Sequence, residues 1–275
     1  VPFEYLIRNL ERTECDLANN TNLRQRERFR EHLSYRLSTN IRGIHNFHKL
    51  MNFDEVEALC SDFRNVRFMD WGCAWGGCCF PFARLGAQSF GIDIEKDRVD
   101  LALVNGRKFP NMDFQCRDLS TDLSDDFGKK FNLMTCNQVL EHVKNVDTFI
   151  ENVSNLLEVG GLVYAEIPNM LSLSCVNEED HTKLIGMSLL DDASADGYAL
   201  QKLSIENHSR ARGLYLRFRQ YEEVFRRHGL SIVQDNLVDS PQAVGSMMAE
   251  YETLKGNLES FQVSNEIEST VVKRI

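Results

Sequence analysis

Asp70-Trp71-Gly72-Cys73-Ala74-Trp75-Gly76-Gly77 is the stretch whose reading decides the fold. It follows a short apolar run, Val66 to Asp70, and opens into a predicted helix, Cys78 to Leu85. Glycines at a strand-to-helix turn let a ligand approach the backbone, and the first turn of a helix presents N–H groups without intrahelical partners. Gly72, Ala74 and Gly77 also occupy the positions of a GxGxxG dinucleotide pattern, so the turn alone does not choose a ligand. The next apolar run, Gln88 to Asp93, ends in Gly91-Ile92-Asp93. A carboxylate about twenty residues beyond such a turn accepts both hydroxyls of a ribose that carries no phosphate.

Outward from this pair, Met112 to Cys116, Phe131 to Cys136 and Leu162 to Ile167 have the length and apolar content of strands buried on both faces. Helical patterns lie between them: Glu95 to Asn105, and Asp147 to Leu157 with Asp147 as N-cap and Gly160 beyond the end. Strands alternating with helices predict an α/β fold, a Rossmann-like doubly wound, mostly parallel sheet. The third strand ends at Cys116-Arg117-Asp118-Leu119, which presents Asp118 to an adenine amino group. The fourth ends at Asn137-Gln138-Val139-Leu140-Glu141-His142-Val143. Each strand thus leaves polar residues at the carboxyl edge, where open α/β sheets bind ligands.

The flanks are organised differently. Residues 1–50 read as an N-terminal helical addition, 51–240 as the main domain and 241–275 as a C-terminal tail. Between about 171 and 207 the pattern gives way to Ser, Asp and Asn, a connection long enough to be a lid. Helical spacing returns from Gln220 through Val224, Phe225 and His228 to Gly229, and Leu230 to Leu237 reads as a last strand. Arg24, Arg26, Arg28 and Arg30 scatter around a helix and read as a solvated surface, with contact to an anionic substrate as the alternative.

Composition narrows the class. The 275 residues are 43% hydrophobic, enough for a full core, and the net charge of −10 argues against a nucleic-acid partner. The eight cysteines show no paired CxxC spacing and read as thiols in a reducing compartment. No run spans a membrane and no signal peptide leads the chain, so a cytoplasmic location is expected. A chain that starts at Val1 rather than Met is expected to be cut from a longer, multidomain polypeptide.

Taken in order, these motifs resemble class I S-adenosylmethionine-dependent methyltransferases of the small-molecule branch, similar to ubiquinone-biosynthesis O-methyltransferases, over residues 66–169. The resemblance implies S-adenosyl-L-methionine as cofactor, with Asp70 near its amino group and Gly72, Cys73, Ala74 and Gly76 beneath its methionine moiety. Asp93 would hold the ribose with Ile94 beside it, Asp118 and Leu119 would flank adenine, and Asn137 would line the pocket with its backbone. Val139-Leu140-Glu141-His142-Val143 matches the family's VLEHV segment, Leu157-Glu158-Val159-Gly160-Gly161 its turn before the fifth strand, and Ile167-Pro168-Asn169 the end of that strand.

Three departures follow. Ala74 stands where the central glycine is usual, which suits the loop if its φ is negative. Trp75 makes the loop bulkier. Gln138 opens what would be an ExxEH metal motif, leaving Glu141 and His142, and no metal is expected.

Methyl transfer needs an aligned nucleophile and a base. His142 is the first candidate, His181 in the lid the second, and His208 a third; each also reads as a structural histidine. Arg210, Arg212, Arg217, Arg219, Arg226 and Arg227 suggest an anionic acceptor, such as a phosphorylated or nucleotide-linked sugar, beside the plainer reading of surface residues. Trp71, Trp75, Tyr198 and Tyr215 suit either pocket walls or core. The expected function is therefore methyl transfer to an oxygen or nitrogen of a small molecule. An NAD-dependent oxidoreductase or epimerase and a catalytically silent cofactor-binding module are the alternatives.

Overall fold

The computed structural model describes residues 41–118, 120–121, 127, 130–169, 172–179, 182–206, 216 and 218–233. The readings made for residues 1–40 and 234–275, and for Leu119, His181, His208, Arg210, Arg212, Tyr215 and Arg217, lie outside the described residues.

Five strands form one sheet: β1 (Arg67–Trp71), β2 (Gln88–Asp93), β3 (Met112–Cys116), β4 (Phe131–Asn137) and β5 (Leu157–Glu166), in the order β3-β2-β1-β4-β5. The pairs β1–β2, β1–β4 and β2–β3 are parallel. The expected Rossmann-like, mostly parallel sheet is the one found. Strand order reverses at β1, which makes the carboxyl end between β1 and β4 the topological switch point where such sheets hold ligands. Asp70 lies in register with Gly91 of β2 on one side and with Thr135 of β4 on the other.

The chain divides into two compact units. The first contains the described residues up to 118, those within 125–136, and 156–164. Residues 41–50 are helical (α1), and α2 (Asp54–Leu59), α3 (Cys79–Leu85) and α4 (Lys96–Gly106) follow. Its core is aromatic: Phe68 stacks on Phe82 with ring centroids 3.9 Å apart, and Phe47 of α1 meets Phe82 edge-on at 5.0 Å. Burying one such ring removes enough apolar surface to contribute roughly 1.5–3 kcal/mol. Trp71, Trp75 and Cys73 are buried in this unit, so the two tryptophans are core residues. At Gly43 of α1 a Cβ would lie 2.6 Å from the backbone nitrogen of Cys78 and 2.6 Å from the carbonyl carbon of Gly77. Only glycine permits so close an approach.

The second unit contains residues 137–155 and the described residues from 165 onward. Helix α5 (Val146–Leu156) starts one residue before the expected site, so Asp147 is in its first turn and not its N-cap. Asn145 fills that place, its Oδ1 accepting from the Thr148 N–H at 3.2 Å. Asp147 instead pairs with Arg227 and lies 3.3 Å from His228 Nε2, at the end of α8 (Phe218–Arg227). Gly160, expected beyond the helix, is inside β5, which begins at Leu157 rather than Leu162. Residues 230–233 take no strand conformation.

The stretch expected as an irregular lid is largely helical where described. It contains α6 (Leu173–Asn177), a 3-10 turn at Met187–Leu189 and α7 (Asp192–Leu203). Asp191 caps α7 by accepting from the Ser194 N–H at 3.0 Å. Ala195, Tyr198 and Ala199, at helical spacing, pack with Met187 and Leu190 into a small core. Tyr198 is thus a core residue, and burial pushes its phenol up to about 12. Asp, Ser and Gly early in α7 have low helix propensity and hid the helix from composition.

Candidate functional site

The loop after β1 folds back over the end of β2. The N–H groups of Gly72 and Cys73 both donate to the Ile92 carbonyl, at 2.8 and 2.9 Å. Gly72 and Gly76 have φ of 75° and 83°, and Ala74 between them has φ of 48°. The negative φ on which the alanine was expected to rest is therefore absent. A side chain in this left-handed region costs about 1–2 kcal/mol. The Ala74 N–H donates to Asp93 Oδ2 at 2.9 Å, and that charge-assisted bond holds the residue there. Asp93 Oδ1 accepts from the Glu95 N–H, also at 2.9 Å, and Arg98 Nη1 is 3.9 Å from Oδ2. Asp93 is only 4% exposed and links the first motif to the start of α4. Of the N–H groups at the start of α3, those of Cys79 and Phe80 donate to the Gly76 carbonyl.

Asp70 is 6% exposed and accepts the Thr135 hydroxyl on Oδ1 at 2.7 Å. Burial pushes its carboxyl up to about 7; the Thr135 hydrogen bond works against that rise, and the negative charge of Asp93 adds to it. Cys73, Cys78 and Cys79 are buried around it, with thiols held well above their usual range mainly by burial. Such thiols are unreactive. Seven cysteines, including these three, are free among the described residues.

Beyond Asp93 the surface changes character. Ile94 is 60% exposed, an apolar side chain beside a buried carboxylate, as a stacking face for a purine requires. The Arg117 N–H donates to the Asp93 carbonyl at 3.0 Å, which sets the end of β3 against that of β2, and Asp118 follows exposed. The structure therefore brings Asp70, Gly72, Cys73, Ala74, Gly76, Asp93, Ile94 and Asp118 onto one carboxyl edge. These residues fit a ligand that offers an ammonium, ribose hydroxyls and a purine. Thr135 is a further candidate for this site; the signal for it in the sequence is a hydroxyl among the apolar residues Leu133, Met134 and Cys136.

In the second unit, the side-chain amide of Asn137 has both polar atoms buried without a hydrogen-bond partner. Gln138 has φ of 55°, and its N–H donates to the Glu166 carbonyl at 2.9 Å. A 3-10 turn, Leu140–His142, carries a buried Glu141 whose Oε1 is 3.8 Å from His142 Nε2; the His142 side chain is 42% exposed. Among the described residues no three His, Cys, Asp or Glu side chains cluster to hold a metal ion. Of the arginines, Arg219 and Arg226 are exposed on α8, while Arg227 is engaged by Asp147.

A sequence profile of the family described as "Methyltransferase domain" matches residues 62–211, and the chain belongs to that family. The recognition of a class I S-adenosyl-L-methionine-dependent methyltransferase is thereby supported, together with its cofactor. The ubiquinone biosynthesis O-methyltransferase of Brucella melitensis biotype 2 is 30% identical over 138 residues, 46% of this chain and 55% of that protein. The protein of the same name from a Chelativorans species is 32% identical over 118 residues, 43% of this chain and 46% of its own. The chain thus spans about half the length of the curated relatives it matches. Among solved structures, a protein from Galdieria sulphuraria, provisionally assigned as a sarcosine dimethylglycine methyltransferase, aligns at a TM-score of 0.50 and 12% identity over 84% of this chain and 77% of that one. That likeness concerns the fold.

Proposed function

We propose that this chain transfers a methyl group from S-adenosyl-L-methionine to an oxygen of a small acceptor. The observation that carries the reading is the Asp70–Ala74–Asp93 arrangement at the carboxyl edge, where one buried carboxylate suits an ammonium and a second suits a ribose. Support for an oxygen acceptor comes from the relatives, which are named as O-methyltransferases. The finer reading of an anionic, sugar-like or phosphorylated acceptor rests on exposed Arg219 and Arg226. Free thiols among the described residues suit a reducing, cytoplasmic setting. No helix among them is long and apolar enough to cross a membrane.

When bound, the cofactor would supply an electrophilic methyl group on a sulfonium, with a neutral thioether as its leaving group. The chain's residues position and deprotonate. Asp70 would pair with the amino group, Asp93 would receive the ribose hydroxyls on lone pairs not used by Ala74 and Glu95, and the apolar side of Ile94 would receive adenine. His142 takes the hydroxyl proton of the acceptor, with the carboxylate of Glu141 beside it to stabilise the imidazolium.

Calorimetric titration of the chain with S-adenosylhomocysteine and with NAD tests the cofactor. Binding of the first alone supports the reading, and binding of NAD alone ends it. For the base, His142→Ala should lower turnover on the order of 10²-fold or more while leaving cofactor affinity within a few-fold. Equal losses in both would remove His142 from the chemistry.

A further inference from the structure

Thr135 is fully buried, on the strand next to Asp70 and in register with it, at the point where the sheet order reverses. A fully buried hydroxyl must find a partner, and this one finds Asp70. It donates to Asp70 Oδ1 at 2.7 Å. Asp70 is thereby fixed from the side. Without the hydroxyl, the carboxyl could rotate about its last torsion, which is broad for aspartate.

We propose that Thr135 is a positioning residue for cofactor binding: its hydroxyl holds Asp70 so that Oδ2 faces the amino group of S-adenosylmethionine. The proposal rests on the reading of Asp70 as the partner of the cofactor's amino group.

Among the described residues, the groups that face Asp70 are Asp93 from β2, Cys73 from the loop, Cys78 and Cys79 at the start of α3, and Thr135 from β4. None is a cation. The carboxyl is therefore pushed up to about 7 by burial and by Asp93, and Thr135 is the group that opposes the rise. The sign follows. In the ligand-free protein Asp70 keeps its proton below that value, so its contribution to stability is complete below the ordinary aspartate range and is lost as pH rises through about 7. An ammonium needs the carboxylate, so cofactor affinity rises over the same interval and then levels off.

The test is titration of the chain with S-adenosylhomocysteine between about pH 5.5 and 8, in parallel with 5′-methylthioadenosine, which lacks the amino acid moiety. Thr135→Val keeps the branched shape and removes the hydroxyl. It should weaken S-adenosylhomocysteine on the order of tenfold at pH 7 and move the midpoint of its pH dependence up by about one unit. Affinity for 5′-methylthioadenosine should stay as in the parent chain, and Thr135→Ser should restore both the affinity and the midpoint. Equal weakening of both ligands by Thr135→Val, or an unmoved midpoint, would overturn the positioning role. Asp70→Asn separates the two layers: if it leaves S-adenosylhomocysteine affinity unchanged, the reading of Asp70 fails, and the Thr135 role fails with it. If Asp70→Asn weakens the ligand and Thr135→Val leaves its pH profile alone, only the role of Thr135 fails.

Discussion

The carboxyl edge of β1 and β2 and the helical stretch 182–206 hold buried or half-buried polar groups by different means. At the edge, carboxylates bind backbone: Asp93 takes the N–H groups of Ala74 and Glu95, so the side chain fixes the course of the main chain. In the helical stretch and the turn before it, the polar contacts are short-range. Glu179 Oε2 accepts from both the N–H and the hydroxyl of Thr182, at 2.7 and 2.8 Å, and Asp191 caps its own helix. An edge whose loops are bound to one another over some twenty residues must keep its spacing, and that spacing is what makes it legible. A stretch that closes on itself answers only to its own packing, and its sequence is free to look like a loop.

Three changes would break or sharpen this contrast. The largest effect is expected at Asp93→Ala, which removes the proposed ribose acceptor and two backbone tethers together. Cofactor affinity should fall by about 10² or more, and stability by roughly 3–6 kcal/mol, since hydrogen bonds to a charged group contribute about 1.5–3 kcal/mol each. Calorimetry and denaturant unfolding would show both, and a variant that unfolds earlier yet binds as before would separate Asp93 from the ribose.

Thr182→Ala comes next. It takes one donor from a buried carboxylate and should cost about 1–3 kcal/mol in unfolding experiments, with cofactor affinity unchanged. A drop in affinity there would tie this turn to the cofactor after all.

The smallest effect is expected at Ala74→Gly. Relief of the left-handed strain, offset by the greater freedom of glycine in the unfolded chain, should raise stability by about 0.5–1 kcal/mol. The Ala74 N–H stays in place, so binding should hold within about two-fold. Thermal unfolding checks the sign, and a loss of stability would mean that the methyl group packs in a way that outweighs the strain.

Much of the fold was legible because its strands are apolar and bounded by turn residues. Gln88–Asp93 and Met112–Cys116 were located to the residue. Boundaries failed where a neighbouring side chain decided the matter. Asn145, not Asp147, caps α5, because Asp147 is committed to Arg227 and His228. At the site, spacing pointed to Asp70 and Asp93 but could not supply the sign of φ at Ala74, which depends on a hydrogen bond to a residue on another strand. Thr135 was invisible for the same reason: its importance lies in register, and register is a property of two strands. The acceptor stayed unread because the arginines that suggested it are spread over a segment with no fixed spacing.

Gly43 carries a practical consequence for anyone cutting this chain. The first strand begins at Arg67, and a designer working from the sheet would start an expression fragment a few residues before it. Such a fragment would lose the backbone that rests against Gly77 and Cys78, together with Phe47, the ring that closes one edge of Phe82. The loop after β1 would then face water on a side that is now covered.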